Sequence, residues 1–291
     1  MVDTNKTHMT AKIGFIGQGW IGRHYADEFE SRMYDVIRYA LEEPYVQNRE
    51  YIPECEVVFI AVPTPTTKEG FDASIIRESL SLVGKGKTAV IKSTLLPGTT
   101  EKLQNEFPDI FVLHSPEFLV EATAARDAAK PQRNLVGIPI DTPEYRQKAV
   151  AVLRILPEAP YQKVMKAKDA ELVKYAGNCF LYTKVMFMNM LHDMVEHAGG
   201  EWKAMHEAMI NDPRIGESHT QVVHKSGRGA GGHCLIKDFE AFRLMYKEQV
   251  PDDYGDEVLL SMVKMNNNLL VSSDKDLDLL KGVYGEEIEV K

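Results

Sequence analysis

Residues 12–22 read KIGFIGQGWIG. A short apolar, β-branched run ends in a glycine. Gly17, Gln18, Gly19, Trp20, Ile21 and Gly22 then spell G-x-G-x-x-G before a helical pattern takes over. In a dinucleotide-binding turn each glycine has its own reason. The first permits the tight turn out of a strand, the second lets the backbone approach a pyrophosphate, and the third lets the helix pack close to the strand. Amides at the start of the helix then face the phosphates. Alone the pattern is weak, because a glycine-rich structural turn reads the same way. Its weight comes from its place between a strand pattern and a helix pattern at the start of an α/β region.

Outward from that turn, residues 34–39 (YDVIRY), 56–62 (EVVFIAV), 88–94 (TAVIKST), 110–115 (IFVLHS) and 134–140 (NLVGIPI) read as strands like 12–17 (KIGFIG). Mostly uniform apolar runs suit strands buried on both faces. Helical patterns in the gaps predict an α/β fold, a Rossmann-like doubly wound parallel sheet over residues 1–162. The acidic residue that holds the adenosine ribose should close the second strand. That position is Ala40; Glu42 and Glu43 follow, as substitutes or as solvated charges. No arginine directly follows the strand to hold a 2′-phosphate, which favours NAD over NADP.

The character changes near Gln162. Residues 168–197 hold no proline and a single glycine, Gly177, and apolar residues recur at three and four. This predicts one helix about 45 Å long, or two helices broken at Gly177, ended by Gly199–Gly200 as C-cap. It is the spine of an all-α domain over residues 163–280, followed by a polar tail at 281–291. Met186, Met188, Met190 and Met194 cluster on it, as a dimer seam or as core filler.

Late in that domain, residues 227–238 read GRGAGGHCLIKD. A thiolate is a good nucleophile towards a carbonyl when it is accessible and near positive charge. Cys234 ends a loop of glycine-rich, flexible composition, three residues before Lys237. Attack on an aldehyde gives a thiohemiacetal, hydride loss gives a thioester, and water releases an acid. The glycines would let the backbone close around a sugar ring. The alternative is an incidental cysteine after a turn.

Six stretches occur in order: AVPTPTT (61–67), KSTLLPGTT (92–100), SPEFLVEATAARD (115–127), AELVKYAGNCF (170–180), DPRIG (212–216) and GRGAGGHCLIKD. Together they resemble the UDP-glucose/GDP-mannose dehydrogenase family, from about residue 12 to about residue 270. The resemblance implies an NAD-dependent nucleotide-sugar 6-dehydrogenase, with UDP-glucose the default substrate and two NAD used per turnover. It implies a cytoplasmic homodimer built through the long helix and serving polysaccharide biosynthesis. It further implies a short form, without the C-terminal domain that grips the nucleotide in full-length members.

Roles follow by motif position. Cys234 is the implied nucleophile. Lys174 and Asn178, one helical turn apart, resemble the pair that orders water and stabilises negative charge on the substrate oxygen. Asp238 resembles the carboxylate that positions a water with Lys174. Glu117 resembles the acid–base residue for thioester hydrolysis, and Thr94 the threonine that helps hold that water. Cofactor contacts are implied for Val62, Pro63, Thr64, Thr94, Glu121 and Lys237 beside the glycine turn. Substrate contacts are implied for Phe118, Leu119, Lys174, Asn178, Arg228, Gly229, Gly231 and Gly232. Arg228 and His233 depart from the family's pattern, and Arg228 could bring a cation to a substrate phosphate or lie exposed. Cys55 and Cys179 match no reactive position and read as packing residues.

The totals set outer bounds. The chain has 291 residues, 44% hydrophobic and 26% charged, enough for two globular domains. A net charge of −9 argues against nucleic acid or an anionic membrane as partner. Three sparse cysteines form no disulfide framework, which points to a reducing cytoplasm. There is no signal-peptide core at the N-terminus and no apolar run long enough for a membrane span. His219, His224 and His233 lack zinc spacing, so no metal is expected. Two competing functions stand beside the resemblance. One is a single-step β-hydroxyacid-type alcohol dehydrogenase, which needs no thiol; the other is a nucleotide-binding protein without catalysis.

Overall fold

The computed structural model describes residues 11–67 and 70–285. The chain divides into two compact units: residues 1–65 with 71–174, and residues 66–70 with 175–291.

The first unit is a seven-stranded sheet sandwiched by helices. Its strands are β1 (Ile13–Ile16), β2 (Val36–Tyr39), β3 (Val57–Ile60), β4 (Thr88–Ile91), β5 (Phe111–His114), β6 (Arg133–Ile138) and β7 (Tyr161–Lys166). They lie in the order β2-β1-β3-β4-β5-β6-β7. Neighbours run parallel except β5 and β6, which meet antiparallel where His114 faces Gly137. The sheet is therefore mostly parallel, not wholly so as the strand–helix alternation predicts. β7 went unread in the sequence because YQKVMK is an exposed edge strand, not a buried run.

Successive residues of a strand point to opposite faces, and here both faces are apolar. Ile16, Val58, Ile60, Ala89, Ile91 and Val112 build one core layer, under the 3₁₀ segment Val46–Glu54 and the helices α2 (Ser74–Leu80) and α3 (Thr99–Glu106). Ile13, Phe15, Phe59, Val90, Leu113 and Val136 build the other, under α1 (Trp20–Ser31), α4 (Ala124–Ala129) and α5 (Pro143–Ile155). Phe15 stacks on Phe59 at 5.1 Å and meets Phe29 of α1 edge-on at 5.3 Å. Truncating such a fully buried ring costs about 3–5 kcal/mol. The strand order reverses between β1 and β3. Ligands of open α/β sheets bind beyond the strand ends at that reversal, which is where the glycine turn lies.

One continuous helix, α6 (Ala167–His197), passes through Gly177 without a break. Gly199 (φ 72°) then takes the left-handed turn and the Gly200 amide bonds back to Val195 O at 2.9 Å. The second unit builds on residues 175–197 of this helix. It adds α7 (Trp202–Ile210), the two-residue strands Val223–His224 and Gly227–Arg228, α8 (His233–Gln249), α9 (Asp253–Ser272) and α10 (Leu277–Tyr284). Its core sets Tyr182 flat against Phe239 at 3.8 Å, with Cys179, Val185, Met186 and Val263 around them. Residues 281–284, expected in a polar tail, are the last turn of α10, whose Tyr284 packs on that core. Residues 286–291 of the expected tail lie outside the described residues. Of the four methionines, Met186 and Met188 are buried, whereas Met190 and Met194 are exposed together with Phe180 and Phe187.

Candidate active site

The glycine turn has the geometry its spacing requires. Gly17 takes φ +90°, and a Cβ there would lie 2.2 Å from the Ala61 carbonyl oxygen. A Cβ on Gly22 would lie 1.9 Å from Gly17 O, so the third glycine sets how closely α1 packs on the turn. A Cβ on Gly19 would meet nothing within 4 Å. Gly19 is the N-cap of α1, and no side chain of its own caps the helix there. That combination suits a pyrophosphate. Gln18 Oε1 is buried without a partner, a further acceptor left over at the turn. The Gly17 amide bonds to Tyr39 O at 2.9 Å, so Ala40 follows directly beside the turn. Glu42 and Glu43 are both exposed. The residues thus fit the phosphates of a dinucleotide, but no carboxylate ends the second strand.

The turns after β3 and β4 are fastened to each other. The Val62 amide donates to Ser93 Oγ at 3.0 Å, and Ser93 Oγ donates to Val62 O at 2.7 Å. Thr64 Oγ1 donates to Thr94 O at 2.9 Å. This holds Val62, Pro63, Thr64 and Thr94 together at the carboxyl edge of the sheet. Glu121 opens a short 3₁₀ turn, Glu121–Thr123.

Beyond β5 lies a dry charged cluster. Lys174 Nζ donates to Glu117 Oε1 at 2.8 Å and to Glu117 O at 2.9 Å, with both side chains under 10% exposed. The Leu119 amide donates to Glu117 Oε2 at 2.7 Å. The Phe118 ring lies 3.7 Å from the Arg133 guanidinium and 5.9 Å from Lys174 Nζ. Glu171, one turn before Lys174, accepts from Gly98 N, Thr100 N and Thr100 Oγ1 at 2.6, 2.8 and 2.5 Å. It anchors the start of α6 to the N-terminus of α3. Burial pushes its carboxyl up to about 7 against those three donors. Lys92, at the end of β4, donates to Ser115 Oγ at 3.2 Å and lies 4.3 Å over the Tyr25 ring. Burial pushes its ammonium down to about 7, with Lys174 adding repulsion and Glu117 opposing. His114 beside it is fully buried and held down to about 3 by burial and by Lys92.

In the second unit, Cys234 is the second residue of α8 and half-buried. No acidic residue occupies the first turn of that helix, and the helix start favours a thiolate. Asp238, one turn on and 1% exposed, accepts from Asn178 Nδ2 at 2.6 Å and pairs with Lys237. The other two thiols are inert by environment: burial pushes Cys55 up to about 11 and Cys179 up to about 12. None of the three cysteines is in a disulfide.

The glycine loop before Cys234 is tightly held, contrary to its flexible composition. Gly229 (φ +91°) and Gly232 (φ +82°) need left-handed backbone, and Gly231 leaves no room for a Cβ, which would sit 2.1 Å from Asp276 Oδ2. The Arg228 guanidinium is engaged by Asn189 Oδ1 at 2.9 Å and Asp193 Oδ1 at 2.7 Å, so it ties the loop to α6. Among the described residues no group of His, Cys, Asp and Glu could hold a metal ion, and no helix is long and apolar enough to cross a membrane.

The first unit thus brings together Glu117, Phe118, Leu119 and Lys174, and separately Thr64 with Thr94. The second brings together Asn178, Lys237, Asp238 and the helix bearing Cys234. Sequence reasoning missed Lys92, Ser93 and Glu171. The signal for Lys92 was a charge closing an otherwise apolar strand; Ser93 and Glu171 gave none.

Residues 45–154 match the NAD-binding domain of the family described as UDP-glucose/GDP-mannose dehydrogenase, and residues 168–268 match that family's central domain. The match begins after the glycine turn, which rests on its own geometry. UDP-glucose 6-dehydrogenase YwqF of Bacillus subtilis is 30% identical over 298 residues, covering 92% of this chain and 64% of that protein. The UDP-glucose 6-dehydrogenase of Rickettsia conorii is 29% identical, covering 90% and 62%. The chain thus spans less than two thirds of the length of these relatives. Among solved structures, a UDP-glucose dehydrogenase from Pyrobaculum islandicum superposes with a TM-score of 0.75 at 25% identity, over 89% of this chain and 69% of that one. A 3-hydroxyisobutyrate dehydrogenase from Mycobacterium tuberculosis shares the fold, with a TM-score of 0.68 at 13% identity, over 96% and 100%.

Proposed function

The chain belongs to the UDP-glucose/GDP-mannose dehydrogenase family, and on that premise we propose that it oxidises the C6 alcohol of a nucleotide sugar to the carboxylate with NAD. UDP-glucose is the default substrate, and the reaction consumes two NAD and one water, yielding two NADH, the carboxylate and three protons. NAD, when bound at the glycine turn, accepts hydride. Cys234 carries the chemistry that distinguishes this from a single oxidation. Its sulfur adds to the C6 aldehyde, and the resulting hemithioacetal, once oxidised, is a thioester on the protein. Water cleaves that thioester, releasing the acid and restoring the thiol.

Other residues serve charge and water. Asn178 and Lys174 stabilise negative charge developing on the substrate oxygen, as oxyanion donors do. Asp238, held by Asn178 and Lys237, orients water. Glu117, already bound to Lys174 and to the Leu119 amide, exchanges the proton of the hydrolytic water. Thr94 helps to hold that water, and Phe118 and Leu119 border the sugar. The reaction suits the cytoplasm, and a uronic acid product suits polysaccharide biosynthesis. We assign the exposed α6 stripe, Phe180, Phe187, Met190 and Met194, to a homodimer contact.

The observation that supports the thiol step is the contrast between thiols. Only Cys234 combines partial exposure with a helix start, while burial disables Cys55 and Cys179. The test is to count NADH released per sugar, with limiting UDP- and GDP-sugars. Two per sugar are expected, dropping to one or fewer in Cys234→Ser. One per sugar in the wild type would favour a single-step alcohol dehydrogenase. No turnover with any sugar would favour a nucleotide-binding protein without catalysis.

A further inference from the structure

Six backbone groups of residues 227–232 are satisfied by four side chains from one later stretch. Asn266 accepts from Ala230 N at 2.7 Å and donates to Ala230 O at 3.1 Å. Ser273 Oγ accepts from Arg228 N at 3.1 Å. Lys275 Nζ donates to Gly227 O at 3.1 Å and to Gly229 O at 2.9 Å. Asp276 Oδ2 accepts from Gly232 N at 2.7 Å. Asn266 and Lys275 are 1% and 3% exposed, so these bonds are shielded from water. Asp274 and Asp276 take φ of 51° and 54°, left-handed backbone that a non-glycine residue adopts only when its surroundings enforce it. The loop contributes the matching half: a Cβ on Gly227 would lie 2.3 Å from Ser273 Cβ, and one on Gly231 would strike Asp276.

We propose that residues 273–276, the turn between α9 and α10, are a clasp that positions Cys234, with Lys275 and Asp276 setting the thiol's proton affinity in opposite directions. The inference rests on the reading of Cys234 as the nucleophile. Gly232 is the residue that caps α8, and Cys234 follows in its first turn. Asp276 therefore places a negative charge at a helix start that otherwise favours a thiolate, and Lys275 places a positive charge on the same loop. On the same helix Lys237 and Asp238 pair with each other, and Lys225 acts on Lys275 by repulsion. From α6 the neutral Asn178 reaches this helix and is bound to Asp238. The clasp thus does two things. It spends the loop's backbone groups internally, so the chain arrives at α8 in one conformation. It also tunes the nucleophile through a balanced charge pair.

The test reads alkylation of Cys234 by iodoacetamide against pH, from about pH 5 to about pH 10. Peptide mass spectrometry follows the site, and Cys55 and Cys179 stay protected by burial. Asp276→Asn keeps an oxygen for Gly232 N but removes the charge; it should move the midpoint down by roughly half a unit or more. Lys275→Met should move it up by a similar amount, and Lys275→Arg should restore it. Shifts of both variants in one direction, or no shift in either, would mean that the turn only holds the loop's shape, and the tuning role would be lost. If Lys275→Met melts below the assay temperature, Asp276→Asn decides alone: an unmoved midpoint overturns the proposal. The readout uses neither sugar nor NAD. A failure to turn over any nucleotide sugar would therefore sink the catalytic reading and leave the clasp standing.

Discussion

Lys92 is a charge directly after a fully buried strand, Thr88–Ile91, that is apolar except for Thr88. Its ordinary proton affinity is near 10.5 and burial lowers it to about 7 in the fold. Between those values the unfolded chain holds one proton more than the native one, so stability rises as pH rises through that window. Below about 7 the ammonium is charged in both states and the full penalty of burying it remains. The slope is one proton, roughly 1.4 kcal/mol per pH unit. Urea melts at pH 7 and pH 9 should therefore show Lys92→Met less pH-dependent than the wild type and more stable at pH 7. Equal slopes would mean that Lys92 stays protonated in the fold. Single residues were the least legible scale in the sequence. Glu117, Lys174, Asn178, Cys234 and Asp238 were singled out by motif and resemblance, and the fold pairs Glu117 with Lys174 and Asn178 with Asp238. Arg228 looked available for a phosphate and is bound to Asn189 and Asp193, because its partners lie 35 or more positions away. Long-range pairing of that kind leaves no trace in local pattern.

At the scale of elements, the turn between β1 and α1 separates a packing role from a binding role. Gly22→Ala forces a Cβ against Gly17 O and should cost about 3 kcal/mol, lowering the melting midpoint. Gly19→Ala meets open space and should melt as the wild type does while weakening NADH binding tenfold or more, read by nicotinamide fluorescence. If Gly19→Ala binds NADH unchanged, the phosphates do not lie where the turn suggests. Six of the seven sheet strands were legible because burial on both faces imposes mostly apolar runs. The seventh, β7, shows mostly exposed residues and carries no such mark. The direction of β6 was also hidden, since a strand reads alike either way. α6 was legible through Gly177 because one interior glycine costs only about 1 kcal/mol, little beside the contacts of a long helix.

For the molecule as a whole, the open stripe of α6 is the feature with the most to say about assembly. Phe180, Phe187 and Met194 recur at seven residues and are 68%, 50% and 64% exposed, the spacing of a helix that meets another like it. Light scattering should give twice the 32.8 kDa chain mass for the wild type and the single mass for Phe187→Glu. An unchanged mass would place the contact elsewhere or nowhere. A change of organisation was visible near residue 162 in the shift from alternating to helical pattern, although the chain divides within α6, after residue 174. Which side of α6 stayed open was not, because periodicity marks a face as apolar without saying what covers it. The clasp on the glycine loop has a consequence in time. Asp276 follows Gly232 by 44 positions. During synthesis the ribosome therefore completes the loop well before it supplies the residues that fasten it. Until then the nascent sulfhydryl is an ordinary one on a slack segment, and the chain cannot hold a reactive nucleophile ready before Asp276 has been added.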